Sequence, residues 1–389
     1  MATGRIFITK RGSGMKICFI NFDFYTPRAV LPTLYEYSQI FSTKGFEVTV
    51  FVRDSEETIK SMGNLTVRKV CKESPSLKIT HILFLIKLVF LLRKERFDIV
   101  HIFYCPGVAI LPIFCKKHHG KWILDIQTWK IWTPIKKFFY DRLMVLEARF
   151  FNKIFILNEH LKGKLFGKKP PENIYITPLG ANIEKFVKVR KDRAIWRKYG
   201  LSEKSVIFVY HGLIHWVRNL KDMLRAFKIV REEVANKELK LVIIGGKNAD
   251  DLEMLKKEAN SLFLREHVLF MGQIPYEDIP VYLSNSDMGL AYVPKIKVYD
   301  IQPPQKTFEY LAASLPVVAT DTLGNMEIIE DGINGVIAQD SPQAFSHGML
   351  RLLKDDQLRS KIKNNAFNSV VKYDWGNVAE RIARIYAEN

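Results

Sequence analysis

The sequence is poor in cysteine, and the four it has form no recognisable framework. Cys18, Cys71, Cys105 and Cys115 include no Cys-x-x-Cys pair, and three of them sit in apolar runs. A disulfide scaffold and a cysteine-ligated zinc site are thereby set aside, and buried free thiols in a reducing compartment are expected. There is no Asp-x-Asp pair and no His/Cys cluster at metal-ligand spacing, so no metal site is expected. No apolar run reaches the ~20 residues a helix needs to span a bilayer. The most apolar stretch, "ITHILFLIKLVFLL", runs only from Ile79 to Leu92 and contains Lys87. Two readings fit it: a helix of an α/β layer, half covered by strands, which is favoured, or a helix lying against a membrane. The opening "MATGRIFITKRGSG" lacks the apolar core of a signal peptide. Residues 1–14 therefore read as a leader or tag, and "KICFINF" after Met15 as the first strand.

Acidic residues are scarce in one half only. Residues 1–186 hold 30 Lys+Arg against 15 Asp+Glu, a net of +15, whereas residues 187–389 hold 29 against 26, a net of +3. A basic first half points to an anionic partner there: a nucleic acid, an anionic membrane surface or a phosphorylated substrate.

At 389 residues with 48% hydrophobic content, the chain is large enough for two cores. Strand-like runs at 16–22, 47–53, 98–103, 121–126, 153–157 and 173–177 alternate with helical patterns near 32–44, 79–94, 107–117, 134–149 and 159–167. The second half repeats the style, with strands at 205–211, 239–245, 267–271, 287–292, 316–320 and 334–338. Such alternation predicts α/β architecture with two doubly wound parallel sheets. The expected domains are 15–186 and 187–372, divided in the charged stretch "EKFVKVRKDR". A closing helix lies in 373–389, capped by Asp374, for which a return to the first domain is one option.

Two stretches carry chemistry. In "PPQKTFEYLAASLPVVATD", Pro303 and Pro304 precede a helix that starts near Gln305. Its first amides form an anion site. Lys306 in that first turn opposes the helix dipole, a penalty that a bound phosphate reverses. Glu309, one turn on, suits the two hydroxyls of a ribose. The plainer reading is a solvated Lys–Glu pair at i, i+3. In "YHGLIHWVRNLKDMLRAF", a strand ends at His211, Gly212 permits close approach of a ligand, and Arg218 again places a cation at a helix start. Alone, Arg218 is a surface arginine. Together, the two stretches suggest one polyanion held between two helix N-termini at strand carboxyl ends.

The second half resembles the donor-binding domain of family-4-type (group 1) retaining glycosyltransferases with the GT-B fold. The carrying segments occur in order: "HGLIHWVRNLKDMLRAF", "LKLVIIGG", "HVLFMGQIPYEDIPVYLSNSDMGLAYVP", "PPQKTFEYLAASLPVVATD", "GNMEIIEDGINGVIA" and "YDWGNVAERIARIY". The first half matches more loosely through "MKICFI", "KGFEVTVF", "FDIVHIF" and "TPLGANIEKF". The resemblance implies two Rossmann-like domains facing across a cleft. It implies that Glu309 holds the nucleotide ribose, that Lys306 and amides near Gln305 and Thr307 face the diphosphate, and that Arg218 fills the phosphate-lysine slot. Gly212 would let its loop approach the phosphates, and backbone at Gln273 and Ile274 would edge the base. The sequence departs from the family at four places. Ile301, beside Asp300, stands in the slot of a first glutamate. Leu213 replaces the usual phosphate arginine, and Ser314 a glycine. Gln127 occupies the slot of the catalytic-region histidine, with Asp125 two residues earlier.

The implied catalytic set is therefore Gln127, Asp125, Arg218 and Lys306. The implied reaction is transfer of a hexose-type sugar, with retention and without metal. The donor is a UDP- or GDP-linked sugar, and no cofactor is called for. A sugar leaving a diphosphate builds negative charge that fixed cations stabilise. The expected acceptor is a glycan or a lipid-phosphate-linked glycan, held by the basic half. The segment "WKIWTPIKKFFYDRLMVLEAR" mixes Trp129, Trp132, Phe138 and Phe139 with Lys130, Lys136, Lys137 and Arg142. It fits an anionic bilayer and a solvated basic helix equally. The expected location is cytoplasmic, peripheral to the inner membrane face. Other readings stay open: a non-catalytic homologue, another GT-B protein such as a sugar-nucleotide epimerase, and a basic nucleic-acid binder. No specific nucleic-acid module is present to support the last.

Overall fold

A computed structural model describes residues 14–23, 33–54, 61–72, 74–128, 134–246 and 248–388. The leader up to residue 13, Trp129, Lys130, Trp132 and residues 24–32 of the first-domain loop lie outside the described residues. The chain forms two compact units: one from the residues up to Leu179 together with Trp375 onward, the other Gly180–Asp374. The division falls at 179/180, ahead of the charged stretch in which the sequence suggested it.

In the first unit the strands are β1 (Lys16–Ile20), β2 (Glu47–Val52), β3 (Leu65–Lys69), β4 (Ile99–Phe103), β5 (Lys121–Ile126), β6 (Lys153–Ile156) and β7 (Ile174–Ile176). They pair in parallel in the order β3-β2-β1-β4-β5-β6-β7. Strands β4 and β6 are buried at every position, which is why they are apolar except at His101 and Lys153. Strand β3 escapes the sequence reading because it is a short edge whose exposed positions carry Thr66 and Lys69, with Arg68 half-buried.

The closing helix, Trp375–Ala387, belongs to this unit. Trp375, Val378, Ala379, Ile382, Ile385 and Tyr386 line one face at helical spacing, and all are buried. Trp375 meets Tyr37 edge-on at 5.6 Å, and Tyr386 stacks on Phe41 and Phe155. Lys121 and Lys153 donate to the carbonyls of Tyr386 and Ile385, where a helix end carries partial negative charge.

The second unit contains β8 (Val206–His211), β9 (Leu239–Ile244), β10 (Val268–Gly272), β11 (Met288–Ala291), β12 (Val317–Thr320) and β13 (Val336–Ala338). These are parallel, in the order β10-β9-β8-β11-β12-β13. The chain direction across the sheet reverses between β8 and β11, and ligands of such sheets bind at the strand carboxyl ends beside that reversal. Tyr310 pins this point. Its hydroxyl accepts from the His211 amide and lies within hydrogen-bond reach of the carbonyls of Val209 and Leu290, one from each strand. A Cβ at Gly289 would come within 2.7 Å of the Tyr310 ring, so glycine is required there.

All four cysteines are buried and none forms a disulfide. Among the described residues no helix is long and apolar enough to cross a membrane. The helix Leu77–Leu92 buries Thr80, Phe84, Leu85, Leu88 and Leu92 and leaves its other face exposed.

Candidate functional site

Four of the residues singled out in the sequence converge at the carboxyl end of β8. The strand ends at His211, and Gly212 follows with φ +132°. That backbone conformation favours glycine, and a Cβ there would meet Cε and Nζ of Lys306 at an ordinary contact distance of 3.4 Å, so the lysine lies directly against the loop. Lys306 opens the helix Gln305–Ala312, which has Pro304 at its N-cap and no side chain capping it. Its ammonium lies 3.6 Å over the ring of Tyr210. The side chain is only 7% exposed and makes no ion pair among the described residues. Burial holds its pKa well below the ordinary lysine value, the nearby Arg218 guanidinium adds to the depression, and Glu309 opposes it. Arg218 stacks 3.9 Å over Tyr299. Burial also raises the Tyr210 hydroxyl to about 12, against the pull of Arg218.

Lys306 and Glu309 are therefore not the solvated pair that their spacing allowed. Glu309 is 1% exposed. Its Oε1 accepts from the Tyr276 hydroxyl at 3.1 Å. Its Oε2 lies 2.9 Å from His211 Nε2, an ion-pair distance but off the hydrogen-bond angle, so Oε2 has no hydrogen-bond partner within the protein. One turn of helix thus presents a buried cation without a counter-ion and a buried carboxylate with an acceptor to spare.

Gln273 and Ile274 lie in the loop after β10, exposed and half-buried. The loop leads to Tyr276, whose hydroxyl ties it to Glu309. Gln305 donates its side-chain amide to the Gly180 carbonyl and leaves Oε1 buried without a partner. Thr307 is a correction. Its amide donates to the Pro304 carbonyl, and its fully buried hydroxyl donates to Asn325, so it braces the helix and offers nothing to a ligand. Asp300, beside the buried Ile301, is likewise taken: its carboxylate accepts from the Leu323 amide.

Asp125 and Gln127 belong to the first unit, on and just after β5. Both are buried. Gln127 Nε2 donates to Asp125 Oδ1 at 2.7 Å, and His101 Nε2 lies 2.9 Å from Asp125 Oδ2. The other nitrogen of His101 meets the Tyr386 hydroxyl of the closing helix at 2.5 Å. With both oxygens engaged, Asp125 orients His101 and Gln127 rather than facing outward. That corrects its expected catalytic role.

Sequence reasoning missed His211, Tyr210, Tyr276 and Tyr299. His211 stands next to Gly212 at a strand end, a signal that was readable. The tyrosines act through contacts between distant segments, which no local pattern reports. Among the described residues no group of three or more His, Cys, Asp or Glu is gathered to hold a metal.

Two family models match the chain: "Glycosyl transferases group 1" over residues 191–369, and "Glycosyl transferase 4-like" over 16–154. Two uncharacterized glycosyltransferases of Methanocaldococcus jannaschii, MJ1069 and MJ1607, are 22% and 26% identical over 62% and 49% of this chain. The matches span 64% and 47% of those proteins, under two thirds of either. The structure of Anabaena HepE in complex with UDP superposes with a TM-score of 0.76 at 15% identity, covering 96% of this chain and all of HepE. The paired models, the order of the two parallel sheets and the shared fold place this chain in the group 1 glycosyltransferases, with the GT-B fold.

Proposed function

We propose that the chain transfers a hexose-type sugar from a nucleoside diphosphate sugar, UDP- or GDP-linked, to a glycan or lipid-phosphate-linked acceptor, with retention at the anomeric carbon. The observation that carries this reading is Lys306, a buried ammonium with no carboxylate partner, held against Gly212 and beside Arg218. A diphosphate seated at Gly212 meets both cations and the uncapped start of the Gln305–Ala312 helix. Glu309 Oε2 then accepts from ribose hydroxyls one helical turn away, and the loop at Gln273 and Ile274 borders the base. HepE, of the same fold, was solved with UDP.

The chemistry follows from where the charges are fixed. As the bond from the sugar to the diphosphate breaks, negative charge grows on the leaving oxygens. Arg218 and Lys306 are already aimed there from a poorly solvated position, so little reorganisation accompanies the step. These two cations supply the counter-charge without a metal ion. Departure leaves oxocarbenium character at the anomeric carbon. Retention requires the acceptor hydroxyl to enter on the face the diphosphate leaves, with its proton passing to that leaving group. The basic first unit binds the acceptor, at the cytoplasmic face of a membrane.

Thermal shift against UDP, GDP, ADP and CMP tests the donor site. Selective stabilisation by UDP or GDP is expected, and Glu309→Ala should abolish it with the fold intact. No shift with any of the four would sink the reading.

A further inference from the structure

Three helices of the first unit form one tied layer: Leu77–Leu92, Ile110–Cys115 and Pro134–Ala148. The Cys115 thiol donates to the Val89 carbonyl, and Arg93 to that of Phe114. Glu147 accepts from the Tyr104 hydroxyl and the Ala109 amide, joining the third helix to the start of the second. Right-handed crossovers from β3 to β4, β4 to β5 and β5 to β6 put all three on the same side of the sheet.

Their inner positions fill the core, with Phe84, Leu88, Leu111 and Met144 fully buried. Their outer positions are apolar as well. On the first helix Ile79, Ile82, Leu83, Ile86 and Phe90 recur at i, i+3, i+4, i+7 and i+11, and all are exposed, up to 62% at Phe90. On the third, Ile135, Phe138, Phe139, Leu143 and Leu146 recur at i, i+3, i+4, i+8 and i+11, up to 73% exposed at Ile135. Ile113 and Phe114 lie exposed on the helix between. A surface helix of a globular protein keeps one polar face. Two helices with mostly apolar outward faces, set on either side of a third whose Ile113 and Phe114 are also exposed, form an apolar surface of the kind that marks an interaction site.

The charge around the patch says what covers it. Exposed cations stand on all three elements, among them Lys78, Lys87, Lys116, Lys136 and Arg149. The acids nearby are neutralised or hidden: Glu95 pairs with Arg68, Asp141 with Lys137, and Glu147 is buried. At the carboxyl end of the first helix, Arg93, Lys94, Arg96, Lys117 and His118 line, with Glu95, a cavity of about 270 Å³. A second copy of the chain is a poor occupant, because a two-fold interface would set this basic rim against itself. An anionic bilayer satisfies both features, taking the apolar stripes to the acyl boundary and the cations to the phosphates.

We propose that this three-helix face docks in the plane of an anionic lipid bilayer, with the cavity at Arg93, Lys94, Arg96 and Lys117 receiving a lipid phosphate. This extends the lipid-linked acceptor reading above by naming the surface and its partner. It unites the two sequence readings of the Leu77–Leu92 helix, a layer helix covered on one side whose other side meets a membrane.

Cosedimentation of the full chain with vesicles tests it. Binding is expected to phosphatidylcholine vesicles containing about 30 mol% phosphatidylglycerol, ~10-fold weaker to pure phosphatidylcholine, and weakened by salt. Ile86→Glu and Phe139→Glu should each lower the partition ~10-fold without moving the melting midpoint. Lys94→Glu with Lys117→Glu should remove the preference for the anionic vesicles. Wild-type protein that ignores both vesicle types overturns the proposal. So does a wild-type dimer that Ile86→Glu converts to monomer, which would show a second copy as the occupant. Nucleotide-induced thermal shifts on the same variants report the donor site alone, so failure of either reading shows separately.

Discussion

The two units build the same kind of sheet, and each holds a buried polar cluster that is satisfied in the opposite way to the other. In the first, Asp125 is matched on both oxygens, by Gln127 and His101, and His101 is matched again by Tyr386 of the returning helix. In the second, Lys306 is buried over an aromatic ring with no carboxylate partner, and Glu309 keeps one oxygen without a hydrogen bond. A matched buried group rigidifies the structure around it, whereas an unmatched one is a standing penalty that persists where a ligand removes it. The contrast separates structural from functional polarity without reference to any bound molecule.

Removing a partner from the matched set should do the most damage. His101→Leu leaves Asp125 Oδ2 and the Tyr386 hydroxyl buried without their partner, although Gln127 still holds Oδ1, and should destabilise the chain by about 3 kcal/mol. Chemical denaturation measures this. A loss under about 1 kcal/mol would erase the distinction between the two units.

The unmatched set should respond with the opposite sign. Lys306→Met removes a desolvated charge and should stabilise the ligand-free chain by about 1–3 kcal/mol while abolishing nucleotide binding. The pH dependence follows from the depressed Lys306 pKa. Between that folded value and the unfolded lysine value near ~10.4, the unfolded chain binds more protons, so stability rises with pH across that window. Below the window the full penalty is present. A bound diphosphate favours the ammonium, so nucleotide-induced stabilisation should fall over the same window. The Lys306→Met variant should show neither slope.

The smallest effect concerns the helix that carries the site. Ser314 ends it at φ +52°, a left-handed position that a glycine occupies without strain. Ser314→Gly should raise stability by about 0.5–1 kcal/mol with nucleotide binding unchanged, as thermal melts would show.

Much of this was legible beforehand. Apolar strands such as β8 and β9 announce themselves, because burial on both faces leaves a nearly uninterrupted run. Lys306 was visible as a cation placed against the helix dipole, and Gly212 as a glycine at a strand end. What spacing could not reveal is that Lys306 and Glu309 form no direct ion pair, since their nearest partners, Tyr210, His211 and Tyr276, arrive from other segments. Thr307 was misjudged because its amide, expected to face the diphosphate, is taken by the Pro304 carbonyl. The outward stripes of Leu77–Leu92 and Pro134–Ala148 were hidden for a different reason. When both faces of a helix are apolar, periodicity no longer says which one meets the core.

Calorimetric titration of UDP and GDP into the wild-type chain and into Lys306→Met, at neutral pH and near pH 9, tests the buried-cation site most directly. One nucleotide should bind the wild type, more weakly at the higher pH, and should not bind the variant at either. Equal affinity in the two proteins at both pH values would show that the buried ammonium is not the diphosphate's partner.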